Sequence, residues 1–278
     1  MRKTRPVQVI AVTSGKGGVG KTSTSVNLAV SMALDGRQVM LLDGDLGLAN
    51  VDVMLGLQPT YNLSHVIDGS CTLEDTLIEG PAGILVVPAS SGKRNMAELS
   101  AAEHVGLVRA FSELQRPIDT LIVDTAAGID NSVLTFSQAS QEVIVVVTND
   151  PQSLTDAYAL IKVLNRDYDI KRFQVLTNMT HTPAEAKEIF ENLRRVAERF
   201  LEVTLVHVGT IPQDEWLRKA VRRQRAVVDA YPSSPSAQAF RELAKKAAGW
   251  ALPQGARGNL EFFVERLVAG RAGEGAVA

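Results

Sequence analysis

The feature that most constrains this chain is a glycine-rich loop from Gly15 to Thr22. It follows a short β-branched run at 7–13, and it precedes a helical pattern at 22–34 that closes on Asp35 and Gly36. Glycines allow a backbone to bend tightly around an anion, and a following helix directs its N–H groups and positive end at the same point. Two glycines, a lysine and a threonine at this spacing, between a strand and a helix, predict a phosphate-binding loop for ATP with Mg²⁺.

The nucleotide-binding residues predicted from the loop are Gly15, Lys16, Gly17, Gly18, Val19, Gly20, Lys21, Thr22 and Ser23. Lys21 is expected to bridge the β- and γ-phosphates as a catalytic group, and the Thr22 hydroxyl is expected to bind Mg²⁺. The alternative is a glycine-rich turn that binds nothing. The strand before the loop and the helix after it favour the nucleotide site.

Apolar runs recur along the chain, and most of them lack polar alternation. They lie at 7–13, 39–42, 84–87, 120–123, 143–147, 173–176 and 205–211, with helices predicted at 101–114, 153–165, 183–200 and 235–250. Continuous apolar runs separated by helices are typical of parallel strands that are covered on both faces. The pattern therefore predicts a single α/β domain over 1–253, built as a doubly wound, mostly parallel sheet with helices on both faces.

Composition excludes several classes of protein. With 278 residues, 45% of them hydrophobic, the chain can bury a sizeable core. The net charge of -2 argues against a dominant attraction to nucleic acid, and a single cysteine, Cys71, excludes an intrachain disulfide. The first residues do not form a signal peptide, and no run has the length of a transmembrane helix. A cytoplasmic protein is expected.

Acidic residues stand where predicted strands end. Asp43 and Asp45 follow the run at 39–42, and Asp124 follows the run at 120–123. Ligands of open α/β sheets bind beyond the carboxyl ends of strands, so these acids are candidates for orienting water or holding Mg²⁺. A single strand-end Asp commonly caps a turn, and that structural role is the one we expect for Asp43.

The segment Lys16–Thr22 resembles the deviant Walker A motif of the MinD/ParA/nitrogenase-iron-protein class of P-loop ATPases. The resemblance implies that Lys16 reaches the phosphates of a second subunit, as a catalytic group acting in trans, so that ATP drives formation of a homodimer. It also implies that Asp45 positions the attacking water, with Asp45 as a further candidate Mg²⁺ ligand. By the same resemblance Asp124 holds Mg²⁺ through water, and Gly128 turns a backbone N–H onto the γ-phosphate.

Two later segments resemble the adenine-recognition elements of this class. Asn178 ends a predicted strand and resembles the Asn that hydrogen-bonds the base. Pro212 and Asp214 belong to an Ile-Pro-x-Asp turn that resembles the turn beside adenine and ribose. An ordinary strand-to-helix turn, with Asp214 as the N-cap, is the alternative.

The last part of the chain, 254–278, is predicted to contain a linker, an amphipathic helix and a tail. The apolar stripe of that helix consists of Leu260, Phe263, Val264, Leu267 and Val268. The helix could dock on the protein itself, or it could make transient membrane contact through 259–269 and place the protein peripherally at the inner membrane. Glu261 and Glu265 weaken the membrane interpretation. A third interpretation combines both, with the helix held in a groove and released when ATP binds.

The segment Arg218–Arg225 carries five basic residues. A solvated helix face is one interpretation of such a run, and a binding patch for DNA or a protein partner is the other.

Within the class, the lone Cys71 excludes the iron–sulfur branch. The segments 14–22, 45–52 and 124–129 are similar to those of the FleN/FlhG flagellar-number regulators. This resemblance implies a weak regulatory ATPase whose ATP-bound dimer restrains an enhancer-binding transcriptional activator (FleQ-like) and so limits flagellar number. The alternative is a positioning or partition ATPase that acts on membrane or DNA, although DNA binding by the isolated protein is not expected.

Overall fold

The structure is a computed structural model that describes residues 6–89, 99–252 and 260–265. Its strands are β1 Gln8–Ser14, β2 Val39–Gly44, β3 Ile78–Glu79, β4 Leu85–Val87, β5 Thr120–Ala127, β6 Glu142–Val147, β7 Arg172–Thr180 and β8 Thr204–Pro212. Its helices are α1 Lys21–Leu34, α2 Val51–Leu55, α3 Leu63–Ile67, α4 Ala101–Ala110, α5 Asn131–Gln138, α6 Pro151–Tyr168, α7 Pro183–Phe200, α8 Glu215–Arg222, α9 Val227–Ala230 and α10 Pro235–Ala248.

The described strands form an eight-stranded sheet in the order β3-β4-β2-β5-β1-β6-β7-β8. All neighbouring pairs are parallel except β3 and β4, which are antiparallel. The predicted fold class, a doubly wound and mostly parallel sheet with helices on both faces, is confirmed. The short edge strand β3 escaped the sequence analysis because two residues are too few to show a pattern.

Alternate residues of each central strand face opposite sides of the sheet, and both sides are buried. On one side, Ile10 and Ile122 pack in a cluster with α1, α9 and α10. On the other side, the β1, β2 and β5 residues pack with α4 and α5, and the β6 and β7 residues pack with α6 and α7. Burial on both faces explains why the strands read as continuous apolar runs.

The carboxyl ends of the parallel strands lie along the same edge of the sheet, and the predicted site residues follow from them. The register between β2 and β5 places Asp43 opposite Asp124. The register between β1 and β5 places Val12 opposite Asp124, directly before the glycine loop. The topology therefore brings together three chain segments that are far apart in sequence.

The C-terminal residues 260–265 pack into the domain. Phe262 and Phe263 have no exposed surface, and both rings contact Phe111 edge to face, at centroid distances of 5.1 and 6.0 Å. Phe262 also stacks on Phe136 at 6.2 Å, and its N–H donates to the carbonyl of Ala139. This segment is therefore part of the same hydrophobic cluster as α4 and α5.

The predicted helical stripe placed Phe263 on the buried side but not Phe262. The structure buries both because the backbone is not helical before Val264, and Phe263 adopts a left-handed φ of 54°. The remaining residues of the predicted linker, helix and tail lie outside the described residues, so the domain division at residue 253 stays a prediction. Among the described helices, none has the length and apolar character needed to cross a membrane.

Candidate nucleotide-binding site

The glycine loop connects β1 to α1 in an unusual backbone conformation. Gly18 and Gly20 have φ values of 78° and 91°, which favour glycine because a side chain is strained there. A Cβ on Gly20 would also lie 2.3 Å from Nδ2 of Asn178, and a Cβ on Gly15 would lie 2.1 Å from the backbone of Asp156 in α6. The loop therefore requires glycine at these positions for conformation and for close packing.

Lys21 is the first residue of α1, and its side chain is buried. Burial lowers the pKa of its ammonium group, and the nearby carboxylates of Asp124 and Asp45 oppose that shift. The group is thus a desolvated cation between two acids, at the N-terminus of a helix. Such a cation interacts strongly with phosphate, since desolvation strengthens its attraction to an anion.

Asp124 is buried next to the first turn of α1. The hydroxyl of Ser25 donates to its Oδ1 over 2.8 Å, and the hydroxyl of Thr22 also donates to it. Burial raises the pKa of Asp124 to about 6, against these hydrogen bonds and the charge of Lys21. The structure therefore brings together the Thr22 hydroxyl and the Asp124 carboxylate, and their binding of Mg²⁺ stays a prediction.

Asp43 holds the loop that follows β2. Its Oδ1 accepts the N–H of Asp45, and its Oδ2 accepts the N–H groups of Asn50 and Val51, at 2.9–3.2 Å. Burial and then the charge of Asp124 raise the pKa of Asp43 to about 8. Both oxygens are engaged with the backbone, so this carboxyl organises the loop at 44–50.

Asp45 lies at the start of the same loop and is only partly buried. Its Oδ1 accepts the N–H of Leu48 at 3.0 Å, and its charge acts on both Lys21 and Asp124. Asp45 is therefore close to the buried cation and still open to water. Leu48, on the same loop, is 71% exposed.

Lys16 forms an ion pair with Asp150, the N-cap residue of α6. The hydrogen bond between them joins the Lys16 ammonium to Oδ2 of Asp150. Both side chains remain partly exposed, at 30% and 41%, so the pair lies at the surface and can exchange partners. Lys16 thus points across its own loop towards β6.

Gly128 follows β5 with a φ of 98°. Its N–H donates to the carbonyl of Ser14, at 3.0 Å, and the neighbouring Ile129 is 49% exposed. This contact ties the segment after β5 to the start of the glycine loop.

Asn178 is buried at the end of β7. Its Nδ2 donates to the carbonyl of Val19 over 2.7 Å, and its Oδ1 accepts the N–H of Met179. The amide therefore supports the glycine loop directly, and the base contact stays a prediction.

Asp214 performs the structural role named as the alternative. Its Oδ1 caps α8 by accepting the N–H of Trp216, and its Oδ2 accepts the N–H and hydroxyl of Ser236. Pro212 ends β8 just before it. A nucleotide role for this turn stays a prediction.

The donor set fits ATP with Mg²⁺. Oxygen ligands and retained waters are what Mg²⁺ prefers, and the contact between the Thr22 hydroxyl and the Asp124 carboxylate offers such ligands beside a buried lysine. Within the described ranges, this site included, no group of three or more His, Cys, Asp or Glu residues is placed to hold a metal ion without other ligands.

Comparison with known proteins bears on this site. A family model described as the CobQ/CobB/MinD/ParA nucleotide binding domain matches residues 10–227. This chain belongs to that family. It is 57% identical to the Antiactivator FleN of Pseudomonas aeruginosa, over 96% of both chains. It is 34% identical to the Flagellum site-determining protein YlxH of Helicobacter pylori, over 84% of this chain and 80% of that protein.

Solved structures agree with the family. The septum site-determining protein MinD of Pyrococcus horikoshii, complexed with Mg-ADP, matches with a TM-score of 0.73 and 25% identity, covering 87% of this chain and 96% of that one. This CobQ/CobB/MinD/ParA family member is an ATPase that takes ATP as its substrate and Mg²⁺ as its cofactor.

Sequence analysis missed two side chains of this family site. Ser25 donates a hydrogen bond to Asp124. The sequence feature that could have indicated this role is the position of Ser25, one helical turn after Lys21 on the same face of α1. Asp150 binds Lys16, and the Asn-Asp-Pro sequence at 149–151 marked it as a helix cap without indicating its partner.

Proposed function

We propose that this protein is an ATP-dependent dimerising ATPase that restrains a flagellar transcriptional activator. The observation that carries the proposal is the 57% identity to an antiactivator along 96% of both chains. An activator of the enhancer-binding (FleQ-like) type is the partner that the resemblance implies. The site geometry supports action in trans, because the Lys16 side chain lies partly exposed at the surface.

ATP binding is assigned to the loop and the start of α1. Backbone N–H groups from Gly15 to Ser23 face the phosphates, and Lys21 supplies the buried charge for the β- and γ-phosphates. Thr22 and Asp124 hold Mg²⁺, which supplies charge neutralisation at the phosphates when it is bound. The neighbouring Ser25 fixes the Asp124 carboxylate through its hydroxyl.

Hydrolysis is assigned to Asp45. Its carboxylate is near Lys21 and open to solvent, so it can orient a water molecule towards the γ-phosphate and accept its proton. The loop that carries it is held by Asp43, and Gly128 follows β5, the strand between β2 and β1. Rearrangement of these two segments around the γ-phosphate is the step that reports the nucleotide state.

Dimerisation is assigned to Lys16. In this structure the ammonium group binds Asp150 of its own chain. In the ATP-bound dimer it leaves that carboxylate for the phosphates bound by the partner subunit, where a mobile cation stabilises charge as an arginine finger does. Exposed Leu48 and Ile129, which flank the site, supply apolar area for the same contact.

The oligomeric state tests this proposal. Wild-type protein with a non-hydrolysable ATP analogue is expected to be a dimer, and with ADP a monomer, as measured by light scattering coupled to size exclusion. Lys16→Ala is expected to remain a monomer in both states, because the cation that crosses the interface is gone.

Lys171→Ala is the matched control, since Lys171 is exposed at the opposite end of the sheet and pairs with Asp169. It should dimerise as the wild type does. A wild type that stays monomeric with the analogue would refute the switch.

For the C-terminal segment, the buried Phe262 and Phe263 support docking on the protein itself, and release of the segment when ATP binds is a further part of this proposal. Transient membrane contact through 259–269 then requires the ATP state. We expect wild-type protein to co-sediment with anionic vesicles only when the ATP analogue is present, and a chain that stops at Gln254 to remain in the supernatant. Equal sedimentation of the two chains would remove any membrane role of the segment.

A further inference from the structure

A basic and aromatic surface covers α8 and the turn before α10. We call it the α8 surface, and it consists of Trp216, Arg218, Lys219, Arg222, Arg223 and Tyr231. Trp216 is 45% exposed, and the four basic residues are exposed as well. The mechanism above uses none of these side chains.

The positive charge of this surface is largely uncompensated. Arg225, just beyond it, pairs with Asp229 at 2.6 Å. Across the part of the chain that the structure describes, no carboxylate lies within ion-pair distance of Arg218, Lys219, Arg222 or Arg223. In a chain with a net charge of -2, such a concentration of cations attracts an acidic partner.

The aromatic rings are held in place by these cations. The Lys219 ammonium lies 4.3 Å from the centroid of the Trp216 ring, and the Arg223 guanidinium lies 5.8 Å from that of Tyr231. The two rings contact each other at 4.8 Å with a tilt of 48°. Trp, Tyr and Arg together are the residues that most often dominate binding energy at protein interfaces.

A cavity of about 370 Å³ opens beside the rings, lined by Trp216, Tyr231, Pro232 and Pro235 among others. Its walls are mainly apolar side chains, and the cations of α8 lie near its rim. This combination suits one apolar or aromatic side chain with acidic residues on either side of it.

The helix that carries this surface is attached at both ends to other parts of the domain. Asp214 caps α8 from the turn that follows β8. At the other end of the helix, Nε2 of Gln224 donates to the carbonyl of Val53 at 2.8 Å. Val53 belongs to α2, which directly follows the loop of Asp45. A partner bound on α8 therefore lies on a helix that is joined directly to α2, the helix after the loop of Asp45.

We propose that the α8 surface is the docking site for an acidic segment of a partner protein that carries an apolar or aromatic anchor. Duplex DNA is disfavoured because a concave apolar pocket offers nothing to a phosphate backbone. Stacking of bases is disfavoured because the rings already contact each other and the cations. The inference deepens the proposed function and rests on it in one respect, that the partner is a protein.

Binding of a defined peptide to the full chain tests the docking site. The probe is a fluorescein-labelled peptide that repeats Glu-Asp-Leu-Glu, and its neutral counterpart repeats Gln-Asn-Leu-Gln. Fluorescence anisotropy should show binding of the acidic peptide alone. Trp216→Ala, which removes the anchor wall, and Arg218→Glu with Arg222→Glu, which reverses the charge, should each weaken binding at least about tenfold.

The matched control reverses the same number of charges elsewhere, by Arg166→Glu with Arg195→Glu, on exposed positions of α6 and α7. Its peptide affinity should equal that of the wild type. Thermal melting of every variant confirms that the fold is retained, since all replaced side chains are exposed.

Three results would overturn the docking site. The first is that the wild type does not bind the acidic peptide. The second is that the α8 charge-reversed variant and the control charge-reversed variant bind the acidic peptide with equal affinity. The third is that the wild type binds a labelled DNA duplex and not the peptide. Dimerisation by ATP, tested with Lys16→Ala, is a separate measurement. If the dimer forms and the peptide does not bind, the docking surface fails and the proposed switch remains.

Discussion

Asp45→Asn is expected to slow ATP hydrolysis by about 10²–10⁴-fold and to leave ATP affinity nearly unchanged. An amide cannot accept the proton of the attacking water, and general base catalysis contributes about this factor. The amide oxygen can still accept the N–H of Leu48, as the carboxylate does now, so the loop should keep its conformation. Release of phosphate in single-turnover experiments, together with binding of a fluorescent ATP analogue, separates the two effects.

Asp52→Asn is the control, because it removes the charge of an acid seven residues further along the chain. Asp52 lies on α2, and its Oδ1 accepts the N–H of the next residue, Val53. Its hydrolysis rate should match that of the wild type. The neighbouring Asp43 cannot replace Asp45, since both of its oxygens bind backbone N–H groups. A wild-type rate for Asp45→Asn would transfer the water-positioning role to another group.

Phe262→Ala is expected to lower the free energy of unfolding by about 3–5 kcal/mol, the usual cost of removing a buried aromatic ring. The ring has no exposed surface and contacts both Phe111 and Phe136. That loss is a large fraction of the about 5–15 kcal/mol that stabilises a typical protein. Urea unfolding of the nucleotide-free protein measures it.

Phe200→Ala provides a control of the same residue type, because Phe200 is 57% exposed at the end of α7. It should cost less than about 1 kcal/mol. If both substitutions had the same small effect, residues 260–265 would not be docked in solution.

The sheet and the phosphate loop were predictable because their signals are local. Continuous apolar runs indicated buried parallel strands, and the strand–loop–helix order placed Lys21 and Thr22 at a helix N-terminus. Asp43 and Asp124 could be expected at the same edge, since the carboxyl ends of parallel strands meet there.

Contacts between distant segments were not predictable. The partner of Lys16 is 134 residues away in sequence, and no pattern links it to Asp150. Phe262 was missed for a different reason. Helical spacing assigns it to the exposed side, whereas tertiary packing against Phe111 and Phe136 imposes a turn at Phe263 that no periodicity describes.

The docking of Phe262 and Phe263 also has a consequence for how the chain is made. Phe111 and Phe136 leave the ribosome long before the residues that cover them, and at about 5–20 residues per second the delay lasts about 6–30 seconds. During that time an apolar surface beside α4 and α5 has no cover. The nascent chain therefore exposes apolar surface, of the kind that chaperones bind, until residues 260–265 arrive to cover it.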